Sequence, residues 1–236
     1  MKCMKSGLSI TIVLTFLAPF TASPQSLFDN FNGTSVNSSL WNVALPFSQS
    51  QVIESGGYLT TTGRGTLETV QGFNSPYTIS GSVTLNNADE HFSTVLRTDL
   101  SVWPPDAQYH ELNGINVVFS ADGDQISIQQ FTPGQQNPIF LALTSYSFVV
   151  GQPYDFTITD DETDITLSID GTELLSGTST YAAGDQIAFE SREFSTTSSR
   201  LDFVQISPVP EPSSVVLTGV GFGLILIFRK WKQIVT

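Results

Sequence analysis

Ile79-Ser80-Gly81-Ser82-Val83-Thr84-Leu85 alternates apolar or small residues with hydroxyl-bearing ones at a period of two. Such alternation marks a β-strand with one face packed and the other turned to water. Phe156-Thr157-Ile158-Thr159 repeats the pattern, and similar short runs recur along the chain between Gly, Asn, Asp and Pro. No long segment carries a helical period, so the expectation is an all-β fold. Turns stand where tight hairpins need them: Asp122-Gly123 lies between the runs around Val117 and Ile126, and Asp170-Gly171 between Leu167 and Leu174. Asp-Gly pairs tolerate the positive φ values of two-residue hairpin loops. The string Asp160-Asp161-Glu162-Thr163-Asp164 separates two alternating runs and is most simply a solvated loop. Calcium there is the alternative reading, although the string lacks a Gly-bent ligand loop of known spacing.

Roughly a dozen such runs with no repeat period suit two packed antiparallel sheets better than a propeller or solenoid. Phe28-Asp29-Asn30-Phe31-Asn32-Gly33-Thr34, followed by Trp41 and by Gly56-Gly57-Tyr58-Leu59, resembles the start of concanavalin A-like (laminin-G-like) jelly rolls. Tyr154-Asp155-Phe156, Leu167-Ser168-Ile169-Asp170-Gly171, Gly184-Asp185-Gln186-Ile187-Ala188-Phe189 and Leu201-Asp202-Phe203-Val204 are similar to the closing strands of that family. The resemblance implies an all-β, two-sheet antiparallel jelly-roll sandwich over residues 27–207, with Trp41 in its core. Fold at this level does not carry function.

The net charge of −13 is distributed unevenly. Lys2 and Lys5 sit at one end and Arg229, Lys230 and Lys232 at the other, leaving Arg64, Arg97, Arg192 and Arg200 as the cations between. A strongly acidic middle without lysine argues against a nucleic-acid partner and for a protein kept soluble by mutual repulsion. The one cysteine, Cys3, precedes the apolar leader instead of following it, so it does not fit a lipid-anchoring position. Without it, the rest of the chain has no disulfide, thiolate metal site or cysteine nucleophile.

Lys2 and Lys5 followed by the apolar stretch Leu8 to Phe20 read as a signal peptide over residues 1–26, handled by signal peptidase. At the other end Pro208-Val209-Pro210-Glu211-Pro212 makes a stiff extended break. The apolar run from Val215 to Phe228 follows, then Arg229-Lys230-Trp231-Lys232. Those 14 residues would reach about 21 Å as a helix, a minimal membrane anchor with its basic end on the cytoplasmic side. Pro210-Glu211-Pro212, the short apolar helix and Arg229-Lys230 together resemble the PEP-CTERM sorting signal of exosortase substrates. For residues 208–236 that resemblance implies membrane retention, cleavage by an exosortase, and delivery to the cell surface or extracellular polysaccharide.

The resembled superfamily holds both carbohydrate-binding modules and β-glucanases, the latter with an E-x-D-x-(x)-E strand. Here the nearest run is Glu111-Leu112-Asn113-Gly114-Ile115-Asn116, which keeps one acid and replaces two by amides. An amide neither attacks a sugar carbon nor donates a proton efficiently, and retaining hydrolysis needs two carboxyls. No catalytic residue is therefore assigned. His91 and His110 lack a context that marks a base beside a nucleophile, and no metal or organic cofactor motif is present. What remains is binding. Arg97, Trp103, Tyr109, His110, Glu111 and Asn113 border the sugar-binding face in the resembled fold, where aromatic rings stack on sugars and polar groups take hydroxyls. Trp103 beside Pro104-Pro105 reads equally as a loop plug. The function expected is a non-catalytic polysaccharide-binding or matrix protein, with an envelope-bound glycoside hydrolase or lyase as the alternative.

Overall fold

The computed structural model describes residues 26–99, 112–135, 137–192 and 198–209. Within them the backbone forms strands, numbered here along the chain, and no helix long and apolar enough to cross a membrane. One sheet runs β13 (Thr172–Thr178), β12 (Asp164–Ile169), β11 (Pro153–Asp161), β6 (Tyr77–Leu85), β15 (Ser198–Pro208), β4 (Tyr58–Thr62), β3 (Gln51–Ser55), with β1 (Leu27–Asp29) against β15. The other runs β10 (Ile139–Ser145), β9 (Gln125–Phe131), β8 (Gly114–Ser120), β7 (His91–Thr98), β14 (Gln186–Ser191), β5 (Thr66–Thr69), β2 (Trp41–Ala44). Every pairing is antiparallel, and the chain passes repeatedly between the sheets, as a jelly roll requires. The leader, the Pro-Glu-Pro tail with its basic end, and the 100–111 segment lie outside the described residues.

The alternation in β6 does what its period predicts. Ile79, Val83 and Leu85 are buried in the interlayer core, whereas Thr78 and Ser80 are half-exposed on the outside. Gly81 occupies a core position for a steric reason: a Cβ there would lie 2.6 Å from Cζ of Phe156 and 2.9 Å from the Phe203 carbonyl oxygen. Between the sheets a file of rings runs from Phe31 through Trp41, Phe189, Phe92 and Phe119 to Phe156, with neighbouring centroids 5.5 to 6.5 Å apart. Asp29 fixes its first members, accepting the Trp41 indole N–H at 2.7 Å and the Phe31 backbone N–H at 2.9 Å. Among the described residues the core runs from Leu27 to Ile206.

Two expectations are corrected. Asp160 does not belong to a solvated loop: it is the last core-facing residue of β11, fully buried, and only Asp161 to Asp164 turn outward. The strand before the proline break also runs further than its sequence suggests. Pro208 is the last residue of β15, opposite Tyr77, and the Val209 N–H donates to the Pro76 carbonyl at 3.0 Å. A proline at a strand end removes only one donor, which need not be used there.

Candidate functional site on the second sheet

The core-facing residues of β8 and β9, Ile115, Val117, Phe119, Ile126 and Ile128, place their neighbours on the outer face of the second sheet. Register extends that face across the strands. One row reads Glu68, Ala188, Val95, Asn116, Gln129, Phe140. The next reads Thr66, Glu190, Ser93, Val118, Ser127, Leu143. A solvated sheet face would leave such polar groups open, yet Glu68, Glu190, Ser93, Asn116, Ser127 and Gln129 are all buried. Four of them are hydrogen-bonded within this face. The Ser93 hydroxyl donates to the Asn116 carbonyl oxygen at 3.2 Å, the Asn116 amide donates to the Leu112 carbonyl at 3.1 Å, and the Gln129 amide donates to the Ser127 hydroxyl at 2.7 Å. Leu112 in turn packs on Val95 and Ala188 as a small apolar cluster at the end where the chain enters β8. Arg192, directly after β14, donates to Gln129 Oε1 at 3.4 Å and holds its guanidinium 5.6 Å from the centre of the Phe131 ring. Phe140 ends the first row, 53% exposed.

The sequence-predicted residues divide sharply. Trp103, Tyr109, His110 and Glu111 lie outside the described residues, as do Pro210, Glu211, Pro212, Arg229 and Lys230. Asn113 is half-buried in the bend before β8. Asn116, the last amide of the glucanase-like run, does reach the outer face, where its side chain is tied to Ser93 and Leu112.

Arg97 is corrected. Alternation would put it on the outer face beside Val95, but its backbone turns left-handed at φ 55°, where the pairing of β7 with β14 also slips by a residue. The side chain therefore crosses the interlayer to Asp160. Its Nε donates to Oδ2 at 2.8 Å and one terminal nitrogen donates to Oδ1, while the remaining N–H groups take the carbonyls of Ser179, Tyr181 and Glu162 at 2.9, 3.3 and 2.6 Å. All five donors of the fork are satisfied internally, leaving none for a sugar. The hydrogen bond to Asp160 is the main cause that raises the Arg97 pKa above its ordinary value, against desolvation. Tyr77, opposite Asp160 in the ladder, has its phenol pushed well up by burial first and by the Asp160 charge second, so it stays neutral.

His91 and Ser120, also on the outer face, meet at 3.1 Å between Nε2 and Oγ, with an Asp122 oxygen 3.9 Å from the same nitrogen. This is not a nucleophile triad. Both partners fall on Nε2, so the aspartate cannot orient the ring from the far nitrogen, and Ser120 Oγ already accepts the Gly123 N–H at 3.0 Å as a turn cap.

The chain matches no family model and no curated protein. Solved structures share its architecture. A β-glucanase of Bacillus licheniformis superposes with a TM-score of 0.58 at 12% identity, covering 80% of this chain and 100% of that one. The fold is the concanavalin A-like jelly roll. An endo-β-1,3-glucanase from Pyrococcus furiosus gives a TM-score of 0.56 at 15% identity, over 78% of this chain and 94% of the other. The carbohydrate recognition domain of Emp46p gives 0.57 at 12% identity, over 77% and 96%. At these identities the likeness is one of fold.

Proposed function

We propose that this jelly roll binds a polysaccharide on the outer face of its second sheet and does so without cleaving it. The observation that carries the reading is Phe140, an exposed ring on the outer face at the end of a row whose buried amides, Asn116 and Gln129, are tied to neighbouring groups and stiffen the sheet beneath it. An exposed ring offers a face to the C–H side of a sugar. Glucanases and a carbohydrate recognition domain among the structural neighbours support the same ligand class. A glycan array probed with residues 26–209 tests it. Phe140→Ala should weaken binding to the sugar found by about fivefold, a loss of about 1 kcal/mol of stacking. Because the ring is half in solvent, the melting temperature should stay nearly unchanged. An array without a hit, or a Phe140→Ala variant of full affinity, would refute the assignment.

One observation favours hydrolysis as the second reading. Glu68 and Glu190 stand diagonally on adjacent strands of the same face, the relation in which side chains about 7–8 Å apart at Cα come within reach of each other. Retaining glycosidases hold two carboxyls about 5–5.5 Å apart. Glucan cleavage abolished by Glu190→Gln would move the assignment from binding to catalysis.

We further infer that the protein is exported and sorted through its tail, with Pro210, Glu211 and Pro212 as the element read by an exosortase and the apolar run as the temporary anchor. Replacing the three by alanines in an exosortase-positive host should leave an uncleaved, membrane-held form, since the stiff element is lost while the anchor remains. Unchanged processing on an immunoblot would argue for an ordinary single-pass anchor.

A further inference from the structure

We propose that β10 is an edge through which two copies of this chain associate, pairing antiparallel about a twofold axis and joining their second sheets into one. Among the described strands β10 ends its sheet, with β9 on one side only. A terminal strand offers unpaired backbone donors and acceptors, and proteins that must stay monomeric shield such strands by shortness, charge or proline. The other terminal strands are shielded in this way. β2 has four residues, β3 has five, and β13 carries Glu173 and lies beside the Asp164 and Asp170 carboxylates. β10 has seven residues, none of them charged or proline.

Its surroundings continue the pattern. From Asn137 to Val150 the chain has no Asp, Glu, Lys or Arg, and β9 beside it has none either. Ile139 and Leu143 on the strand and Val149 and Val150 just after it are large apolar residues left open to solvent, Leu143 at 54% and Val149 at 60%. In a chain of net charge −13, most surfaces of two copies repel each other. A charge-free edge is where like molecules can approach without placing like charges opposite one another, and this points to a second copy as the occupant. The extra residue Leu141 breaks the regular pairing with β9 between Phe140 and Ala142, so the regular part of the edge is Ala142 to Ser145 and the twofold axis falls near Leu143.

Sedimentation velocity on residues 26–209, which carry both sheets and the core described between them, tests the proposal. From about 1 to 200 μM, where small interfaces associate, the wild type should pass reversibly from monomer to dimer. Leu143→Lys sets two ammonium groups against each other at the axis and should weaken the dimer at least about tenfold. Val43→Lys, on the opposite edge strand β2, should leave the dimer intact. Amide exchange on the unmodified protein should show β10 protection rising with concentration, a readout that stands even if a variant fails to fold. A monomer throughout the range, an unweakened Leu143→Lys dimer, or β10 exchange indifferent to concentration would each overturn the proposal.

Discussion

Replacing Arg97 with methionine should destabilise the sandwich by about 3–5 kcal/mol, among the largest effects of any single substitution in this domain. The reason is the state in which the change leaves its partner. Asp160 is fully buried in the interlayer, and without the guanidinium its carboxylate keeps a desolvated charge with the counter-ion gone. Three carbonyls, of Ser179, Tyr181 and Glu162, lose a donor at the same time. Replacing both partners, as in Arg97→Met with Asp160→Leu, removes the orphaned charge and should recover part of the loss, since a buried pair is often matched by apolar residues of similar volume. The carbonyls would still lack their partners, so recovery should stop short of wild type. Urea unfolding of the two single variants and the double gives the coupling directly. A single-variant loss below about 1 kcal/mol would mean that water reaches the pair.

Much of this fold was legible because strand periodicity is a local property. Ile79 to Leu85 reads as a half-buried strand whatever surrounds it, and Asp170-Gly171 forms a hairpin turn, both residues left-handed at φ 50° and 75°. Trp41 was placed in the core by the family resemblance, and the structure buries it there. The candidate site was less legible. Alternation separates two sets of residues on a strand but does not tell which set the rest of the molecule covers, so nothing in the sequence singles out Glu68 and Glu190 as buried acids. Arg97 was misplaced by a single backbone event. One left-handed residue reverses the faces for everything beyond it, and a period of two carries no trace of such a reversal. Phe140 escaped notice because its neighbours Ile139 and Leu141 are also apolar, and only the extra residue in the ladder shows which face each occupies.

Trp41→Ala should cost about 3–5 kcal/mol, the cost of emptying a large aromatic site in a packed core. Two features place it at the upper end. The ring is only 2% exposed and stands between Phe31 at 6.3 Å and Phe189 at 6.0 Å, so its removal leaves a void in the file of rings that neither neighbour can fill without moving its strand. The indole N–H also anchors Asp29, whose other oxygen holds the Phe31 backbone, so the loss spreads into the loop that follows β1. Trp41→Phe separates the two contributions. It keeps most of the ring volume and removes the hydrogen bond to a carboxylate, leaving a smaller gap than alanine does, so about 1.5–3 kcal/mol should be lost. Equilibrium unfolding in urea, followed by far-ultraviolet circular dichroism, measures both. If Trp41→Phe costs as much as Trp41→Ala, the hydrogen bond to Asp29 dominates and packing is secondary. If it costs almost nothing, the indole serves mainly as volume. For the binding reading, both variants should still recognise sugar below their melting temperatures, because Trp41 faces the core and the row ending in Phe140 lies on the opposite side of the same sheet.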